Sequence, residues 1–172
     1  MRRAAILLAL PQLAIALPRA GDAIPAVEVV DVDGKTRALA DPRRALLIFY
    51  EDKDAGAQNR RARALLGPIT DRADNRARFE LVAVADVEKW DFWPARKYVI
   101  DELRATERRE QTRIWCDWKG RVRRALGLTR GKSGVVLVGG DGRCRFAGEG
   151  PLTDAQIADL MRRLDELGVI VK

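Results

Sequence analysis

The sequence lacks histidine altogether and contains only two cysteines, Cys116 and Cys144. Histidine is the commonest general base, the usual zinc ligand and the activating partner in Ser-His and Cys-His catalytic pairs. Its absence excludes those three kinds of site. The two cysteines stand far apart in the sequence, so the chain has no Cys-x-x-Cys motif either.

The N-terminal apolar run is too short to cross a membrane. Residues 1–20 read MRRAAILLALPQLAIALPRA, and Pro11 and Gln12 interrupt the run, whereas a spanning helix needs about twenty apolar residues. Two arginines, an apolar stretch, and then Ala14 and Ala16 in an A-x-A arrangement are typical of a secretory signal peptide. We predict a signal peptide here; an uncleaved anchor and a cytosolic helix are the alternatives.

The rest of the chain, residues 21–172, is predicted to be one domain. A chain of 172 residues with 47% hydrophobic residues can bury a sizeable core but has no room for a second full domain. It contains no internal repeat and no low-complexity segment. We expect this domain to be periplasmic or secreted, with no stable membrane insertion after the signal peptide is removed.

The formal net charge of +7 raises the question of an anionic partner. A basic balance of this kind is found in proteins that bind nucleic acid or anionic membranes. Here, however, arginines alternate with acidic residues, as in DELRATERRE and MRRLDEL, which is typical of solvated helix faces. We therefore expect no nucleic-acid partner.

Residues 45–50 form a continuous apolar run, which predicts a strand covered on both faces, and residues 79–85, FELVAVA, predict a second buried strand. Residues 57–66 between them predict a helix that ends at Gly67 and Pro68. A strand, a helix and a second buried strand in succession form a parallel βαβ unit. Ahead of this unit, residues 26–32 predict a strand that enters a hairpin through an Asp-Gly turn.

The C-terminal half predicts a further helix, a hairpin and a closing helix. The helix follows Asp91 and Pro94, and short strands are predicted at residues 112–116, 134–138 and 144–147. The closing helix begins with a capping box, Thr153 with Gln156 three residues later. Its apolar residues recur every three or four positions, as on a helix that packs on one face.

This order of elements is that of the thioredoxin core, and several motifs strengthen the likeness. The opening GDAIPAVEVVDVDGKTRAL resembles peroxiredoxin and thiol-disulfide-carrier domains. IWCDWKGRVRRALGL and SGVVLVGGDGRCRFAGEGPLTDAQIADLM resemble the YtfJ family of small exported bacterial proteins. The resemblance implies a periplasmic α/β protein of thioredoxin-like fold, without implying catalytic residues. We expect a mixed sheet of about five strands, flanking helices and an N-terminal β-hairpin extension.

The sequence departs from a working thioredoxin at the strand-to-helix junction. That class places a nucleophilic cysteine at the first helix N-terminus, where backbone N–H groups stabilise the thiolate. Here the junction reads DKDAGA, residues 52–57, and Ser133 and Gly134 stand where the class usually has a cis-proline. Dithiol exchange and peroxidatic chemistry at the usual position are therefore excluded.

Acidic residues stand at this junction in place of the thiols, and their role has two interpretations. Asp54 is placed to cap the helix, with Asp52 and Glu51 adding favourable charge. Alternatively, Glu51, Asp52, Asp54 and Asp86 follow adjacent parallel strands, where open α/β sheets bind ligands. Carboxylates there would suit a hard cation, a small molecule or a peptide. The sequence has no calcium-loop motif, so we assign no metal and no cofactor.

Cys116 and Cys144 are predicted not to form a disulfide. An even cysteine count in an oxidising compartment suggests one. In a thioredoxin-like sheet, however, their strands lie four spacings apart, roughly 19 Å, whereas a disulfide needs Cα atoms within about 7 Å. Each is interpreted as a small apolar strand residue, with a single exposed redox-sensing thiol as the alternative.

All four tryptophans fall between positions 90 and 118. Packing of an inserted helix against the sheet explains such a cluster, but interfaces also favour aromatic residues together with arginine. If part of the cluster is exposed, it is the best candidate for a protein-protein surface. The candidate residues are Trp90, Phe92, Trp93 and Trp118.

The leading interpretation is an exported, non-catalytic thioredoxin-like protein that acts as a binding or accessory module of the bacterial envelope, with a protein partner there. The first alternative is a thiol-dependent oxidoreductase or redox sensor that uses Cys116 or Cys144. A nucleic-acid-binding regulator is the second alternative. The absence of a Cys-x-x-Cys motif, of a peroxidatic cysteine and of histidine weighs against an enzyme.

Overall fold

The computed structural model describes residues 16–39, 41 and 43–171. Residues 1–15, most of the predicted signal peptide, lie outside that part of the chain. The strands are β1 (Glu28–Asp31), β2 (Thr36–Ala38), β3 (Ala45–Glu51), β4 (Phe79–Asp86), β5 (Ile114–Asp117), β6 (Gly134–Val138) and β7 (Cys144–Glu149). The helices are α1 (Arg60–Asp71), α2 (Ala73–Arg76), α3 (Ala95–Glu110), α4 (Arg121–Ala125) and α5 (Asp154–Glu166), and a short 3-10 helix spans Glu88–Trp90.

The strands form one mixed sheet in the order β2-β1-β5-β4-β3-β6-β7. Strands β3, β4 and β5 are parallel to one another, β6 runs antiparallel to β3, and β7 runs antiparallel to β6 at the edge of the sheet. The α/β fold, the mixed sheet and the N-terminal hairpin are as predicted. The sheet has seven strands rather than about five, because β1 pairs with β5 and so joins its hairpin to the sheet.

Side chains alternate along β3 and β4, and this alternation divides the core into two layers. Ile48 and Tyr50 pack with Val122 of α4 on one side, which we call the α4 face. Leu47 and Phe49 pack on the other side, the α1-α5 face. A third cluster, containing Cys116 and Trp118, packs with partly buried residues of α3. Both central strands are therefore covered on two sides, which explains their predominantly apolar sequence.

Helix α1 continues past the position where the sequence predicted its end. It begins at Arg60 rather than at residue 57, and it includes Gly67 and Pro68 before ending at Asp71. Leu66 and Ile69 are both buried and lie three residues apart, so they share one helix face. Burial of that face outweighs the hydrogen bond that proline cannot donate.

Helix α5 begins as the sequence predicted. The Thr153 hydroxyl accepts a hydrogen bond from the Gln156 N–H, and the Gln156 side chain accepts one from the Thr153 N–H. Ile157, Leu160 and Leu164 are buried on one face of this helix. Capping and burial together fix its position against the sheet.

Candidate functional site

The β3-α1 junction, residues 52–59, is the segment that the resemblance to thioredoxins aligns with their reactive cysteines. Asp52, rather than Asp54, supplies its capping side chain: Asp52 Oδ1 accepts hydrogen bonds from the N–H groups of Asp54 at 3.0 Å and Ala55 at 2.8 Å. The prediction that Asp54 caps the helix is therefore wrong. The junction is a series of turns, so the first α-helical residue comes six positions after Asp54.

The Asp54 side chain is exposed and lies between two lysines. Its carboxylate oxygens are 3.2 Å from Lys53 Nζ and 3.5 Å from Lys89 Nζ. The hydrogen bond from Lys53, followed by that residue's charge and the contact with Lys89, holds the pKa of Asp54 below its ordinary value. These are surface ion pairs, which contribute little to stability.

A buried polar network closes the inner side of the junction. Asn59 donates hydrogen bonds from Nδ2 to Ser133 Oγ and to the Gly150 carbonyl, both at 2.9 Å, and its Oδ1 accepts one from the Leu152 N–H. Ser133 in turn donates to Glu51 Oε1 at 2.7 Å. The network therefore connects β3, the junction and the segments on either side of the β6-β7 hairpin.

Two further side chains strengthen this closure. Gln58 accepts a hydrogen bond from the Ser133 N–H at 2.9 Å and donates one to the Gly131 carbonyl at 3.1 Å. Glu51 forms an ion pair with Arg63 of α1. Ser133, which the resemblance to thioredoxins places where that class usually has a cis-proline, is fully buried, and both its N–H and its hydroxyl are hydrogen-bonded. The arrangement connects structural elements, and the junction itself contains no cysteine.

The four carboxylates proposed as a ligand site are not brought together. Glu51 is aligned with Ala85 across the β3-β4 pair, so Asp86 is one residue further and points to the opposite side of the sheet. Glu51 contacts α1, whereas Asp86 lies 3.7 Å from Arg123 of α4. Within the described residues, no group of three or more acidic or cysteine side chains could hold a metal ion.

Asp86 instead belongs to a charged cluster on the α4 face. Tyr50 donates a hydrogen bond from its hydroxyl to Asp117 Oδ2 at 3.1 Å, and Asp117 also accepts N–H bonds from the first three residues of α4. Burial, and then the charges of Asp117 and Asp86, raise the pKa of Tyr50 far above its ordinary value. Tyr50 is therefore a permanent donor, not a titrating group.

Glu88 lies at the outer end of this cluster, among three arginines. It pairs with Arg123 at 2.9 Å, with Arg124 at 3.0 Å, and with Arg130. The hydrogen bond from Arg123 is the largest cause that lowers the pKa of Glu88. The single negative charge of Glu88 thus offsets part of the positive charge of the three arginines and weakens the attraction of this cluster for an anion.

Both cysteines are free and buried. Cys116 is 1% exposed and Cys144 is 0% exposed. Their strands, β5 and β7, are four positions apart in the sheet, so the predicted separation is confirmed and no disulfide joins them. Burial raises the pKa of Cys116 to about 12 and that of Cys144 to about 11. Because the thiolate is the reactive form, both sites disfavour thiol chemistry in the folded state.

The predicted aromatic surface is divided between core and solvent. Trp118 is only 6% exposed and packs in the cluster beneath α3, with the Arg96 guanidinium 4.4 Å from its ring centre. Trp90 is half-buried. Phe92 and Trp93 are 56% and 89% exposed. Trp118 is therefore removed from the predicted surface, and Phe92 and Trp93 remain as the exposed aromatic pair.

A groove of about 570 Å³ runs beside the exposed aromatic pair. Its apolar lining comes from Val32, Ile100, Phe92 and Trp93, and its charged lining from Asp91, Arg96, Lys97, Asp101 and Arg104. Each of its cations has a carboxylate within 3.0 Å: Arg96 with Asp91, Lys97 with Asp101, and Arg104 with Asp33. The groove thus offers apolar contact area, and its positively charged side chains are each paired with a carboxylate.

The sequence alone did not identify the amides of the β3-α1 junction or the hydrogen-bonded tyrosine and carboxylate of the α4 face. Asn59 and Gln58 gave no signal because an isolated amide in a helix-like run is ordinary, and their partners are more than 70 positions away. Tyr50 and Asp117 could have been suspected, since a tyrosine at the end of a buried strand needs a hydroxyl partner. Only the fold shows which carboxylate supplies it.

The chain resembles solved structures of thiol-active proteins, at low sequence identity. A proposed protein disulfide isomerase from Bacteroides thetaiotaomicron matches with TM-score 0.65 and 16% identity, over 89% of this chain and 94% of that one. A proposed thiol:disulfide interchange protein DsbE from Chlorobium tepidum matches with TM-score 0.59 and 18% identity, over 87% and 98%. A thiol peroxidase from Chromobacterium violaceum matches with TM-score 0.59 and 14% identity, over 87% and 88%.

These similarities establish the thioredoxin-like fold, with thioredoxin-like and peroxiredoxin-like neighbours. At such identities they extend to the fold alone. No protein-family profile matches the chain, and no curated protein matches it. Among the described residues, no helix combines the length and apolar character that a membrane span requires.

Proposed function

We propose that this chain is an exported thioredoxin-like protein of the bacterial envelope that binds a protein partner instead of catalysing thiol exchange. The proposal includes periplasmic location and kinship with the YtfJ family, on the sequence motifs described above. One observation carries it: the position of the reactive cysteines is closed by the Glu51-Ser133-Asn59 network, while large aromatic side chains are exposed elsewhere.

The exposed aromatic pair and its groove are the proposed partner surface. Trp93 is 89% exposed, and tryptophan at the centre of an interface is among the residues that carry most of its binding energy. The groove lies at the start of α3, outside the closed junction. A partner could therefore bind without any rearrangement of the core.

The charges of the groove favour a protein over nucleic acid or an anionic membrane. Phosphate contacts require lysine or arginine groups that are available to an anion. Arg96, Lys97 and Arg104 are each already paired with a carboxylate. We therefore expect a partner that inserts an apolar or aromatic side chain beside Trp93, with affinity that depends weakly on salt concentration.

The test compares wild-type protein with Trp93→Ala in capture from periplasmic extract. Leu65→Ala is the matched control, because Leu65 is an exposed apolar residue on α1, away from the groove. We expect a captured protein that is retained by the control and lost by Trp93→Ala, with all three proteins melting at the same temperature. A captured protein that binds all three variants equally would contradict the proposed surface.

A thiol-dependent role is the competing candidate, and the thioredoxin-like fold is the observation that favours it. Insulin reduction and peroxide consumption should be measured on wild type, Cys116→Ser and Cys144→Ser. We expect no activity above background in any of them, because both thiols are buried and protonated. Activity that disappears in either variant would overturn the binding proposal.

A further inference from the structure

Residues 17–24, which we call the N-terminal strap, run along the start of the edge strand β7. The Gly21 N–H donates to the Cys144 carbonyl and the Cys144 N–H donates to the Asp22 carbonyl, each at 2.8 Å. The Ile24 N–H donates to the Gly142 carbonyl at 2.9 Å. An edge strand otherwise presents unpaired backbone groups that invite pairing with other chains. The strap satisfies part of this edge.

The strap also completes the core on the α4 face. Leu17 and Ile24 pack against the apolar cluster that contains Cys144, and the Pro18 carbonyl lies 3.8 Å from Cys144 Sγ. Cys144 is 0% exposed with the strap in place. Strap residues at both ends therefore contribute to burial, and Leu17 is the first residue of the described part of the chain that does so.

The middle of the strap is a turn held by its own hydrogen bonds. Asp22 Oδ2 accepts from the Arg19 N–H at 2.8 Å, and the Asp22 N–H donates to the Arg19 carbonyl at 3.0 Å. The Arg143 side chain donates to the Gly21 carbonyl at 2.7 Å. Residues 17–22 are thus bonded or packed as part of the domain. These contacts are those of a folded segment, whereas a signal peptide is cleaved from the mature protein.

We propose that export-linked processing hydrolyses the peptide bond between Ala16 and Leu17, so that the mature protein begins at Leu17. A host signal peptidase would add water across that bond, leaving a carboxylate on Ala16 and a free amino group on Leu17. This inference rests on the proposed export. It sharpens the predicted signal boundary, because cleavage after residue 20 would remove part of the strap.

The sequence alone offers other cleavage positions, and the contacts of the strap distinguish among them. Ala14 and Ala16 give small residues in the A-x-A arrangement, but Gly21 and Ala23 also give a small-x-small pattern. Cleavage after Ala23 would remove the hydrogen bonds that Gly21 and Asp22 make to Cys144. Cleavage after Ala16 leaves every packed residue of the strap in the mature chain.

The first experiment expresses the full chain with its own N-terminus in a bacterial host that has an outer membrane. Intact mass and N-terminal sequencing of the periplasmic protein should give Leu17 as the first residue. A periplasmic protein that begins at Gly21 or Ile24 would overturn this inference but leave the binding proposal intact. An unprocessed protein found only in the cytosol would overturn both this inference and the proposed export.

A second measurement tests the packing argument in the processed protein. In a Cys116→Ser background, Leu17→Ala should raise the maleimide-labelling rate of Cys144 by about tenfold or more, because local opening of the strap exposes the thiol. Arg19→Ala is the matched control, since the side chain of Arg19 is exposed. It should leave the rate unchanged. Equal rates in the two variants would contradict a packed strap and the boundary inferred from it.

Discussion

Ser133 Oγ lies 2.7 Å from Glu51 Oε1, and this hydrogen bond joins residues that are 82 positions apart in sequence. Glu51 ends β3 and Ser133 immediately precedes β6, so the bond connects the carboxyl end of β3 to the segment that enters β6. Because buried polar groups must be hydrogen-bonded, each member of this network depends on the others.

Among the residues of this network, truncation of Asn59 should lower the free energy of unfolding most. Asn59→Ala removes three hydrogen bonds and leaves the Gly150 carbonyl and the Leu152 N–H without their side-chain partner. Leaving a buried donor or acceptor unsatisfied costs about 1–3 kcal/mol each. We expect the free energy of unfolding to fall by about 3 kcal/mol, measured by urea denaturation.

Gln58→Ala is the matched control for that variant, because Gln58 is half-buried and makes two hydrogen bonds to the same loop. Its loss should cost about 1 kcal/mol, since water can replace the side chain. A loss below about 0.5 kcal/mol for Asn59→Ala would show that the network does not hold the junction closed.

Glu88 should stabilise the protein at neutral pH but not in acid. Its arginine partners lower the pKa of the folded-state carboxyl below the ordinary value of 4.5. A carboxyl with a lowered pKa contributes stability above its unfolded-state pKa and loses it as the pH falls through the folded-state pKa. Glu88→Gln should therefore be less stable than wild type at neutral pH, with the difference vanishing in strong acid.

Denaturant unfolding at several pH values measures that difference. Asp101→Asn is the control, because Asp101 also has a lowered pKa but forms its ion pair with the exposed Lys97. Its stability should stay near wild type at every pH. A Glu88→Gln effect that is constant from neutral pH to acid would mean that packing, not charge, explains it.

The central elements of the fold could be predicted because their sequence pattern has one physical solution. Residues 45–50 are all apolar and residues 79–85 are apolar except for Glu80, so both segments predict buried strands, and they are β3 and β4. The end of α1 could not be predicted in this way. Gly67 and Pro68 are ordinary stop signals, and only tertiary burial of Ile69 extends the helix past them.

The candidate acidic site failed for a related reason. Glu51 and Asp86 both follow parallel strands, so the topology places them at the same edge of the sheet. The strand register then decides the face of each side chain, and a one-residue offset separates them. Register depends on packing across strands and is not encoded in either strand alone. The division of the tryptophans between core and surface likewise depends on where α3 packs.

Stability should fall at alkaline pH because of the buried thiols. Burial raises the pKa of Cys116 to about 12 and of Cys144 to about 11, from an ordinary value of 9.0. Above that ordinary value the unfolded state loses protons that the folded state keeps, so the free energy of unfolding decreases as the pH rises. The contribution is intact below the ordinary pKa and is lost as the pH approaches the folded-state values.

Cys116→Ala and Cys144→Ala should each flatten this alkaline decrease, and the double variant should flatten it further. The buried Tyr50, whose pKa is also raised, contributes a remaining slope that Tyr50→Phe would remove. Denaturant unfolding measured from neutral to alkaline pH gives the slopes. Parallel curves for wild type and the double variant would contradict buried, protonated thiols.

Trp93 and Trp118 should respond oppositely to truncation, although they belong to one cluster in the sequence. Trp118 is 6% exposed beneath α3, so Trp118→Ala leaves a cavity and should lower the free energy of unfolding by about 3–5 kcal/mol. Trp93 is 89% exposed, so Trp93→Ala should change it by less than about 0.5 kcal/mol. Thermal and urea unfolding of the two variants provide the comparison. If Trp93→Ala also destabilised the fold, its ring would have a packing role, and loss of partner capture by that variant would no longer identify an interface.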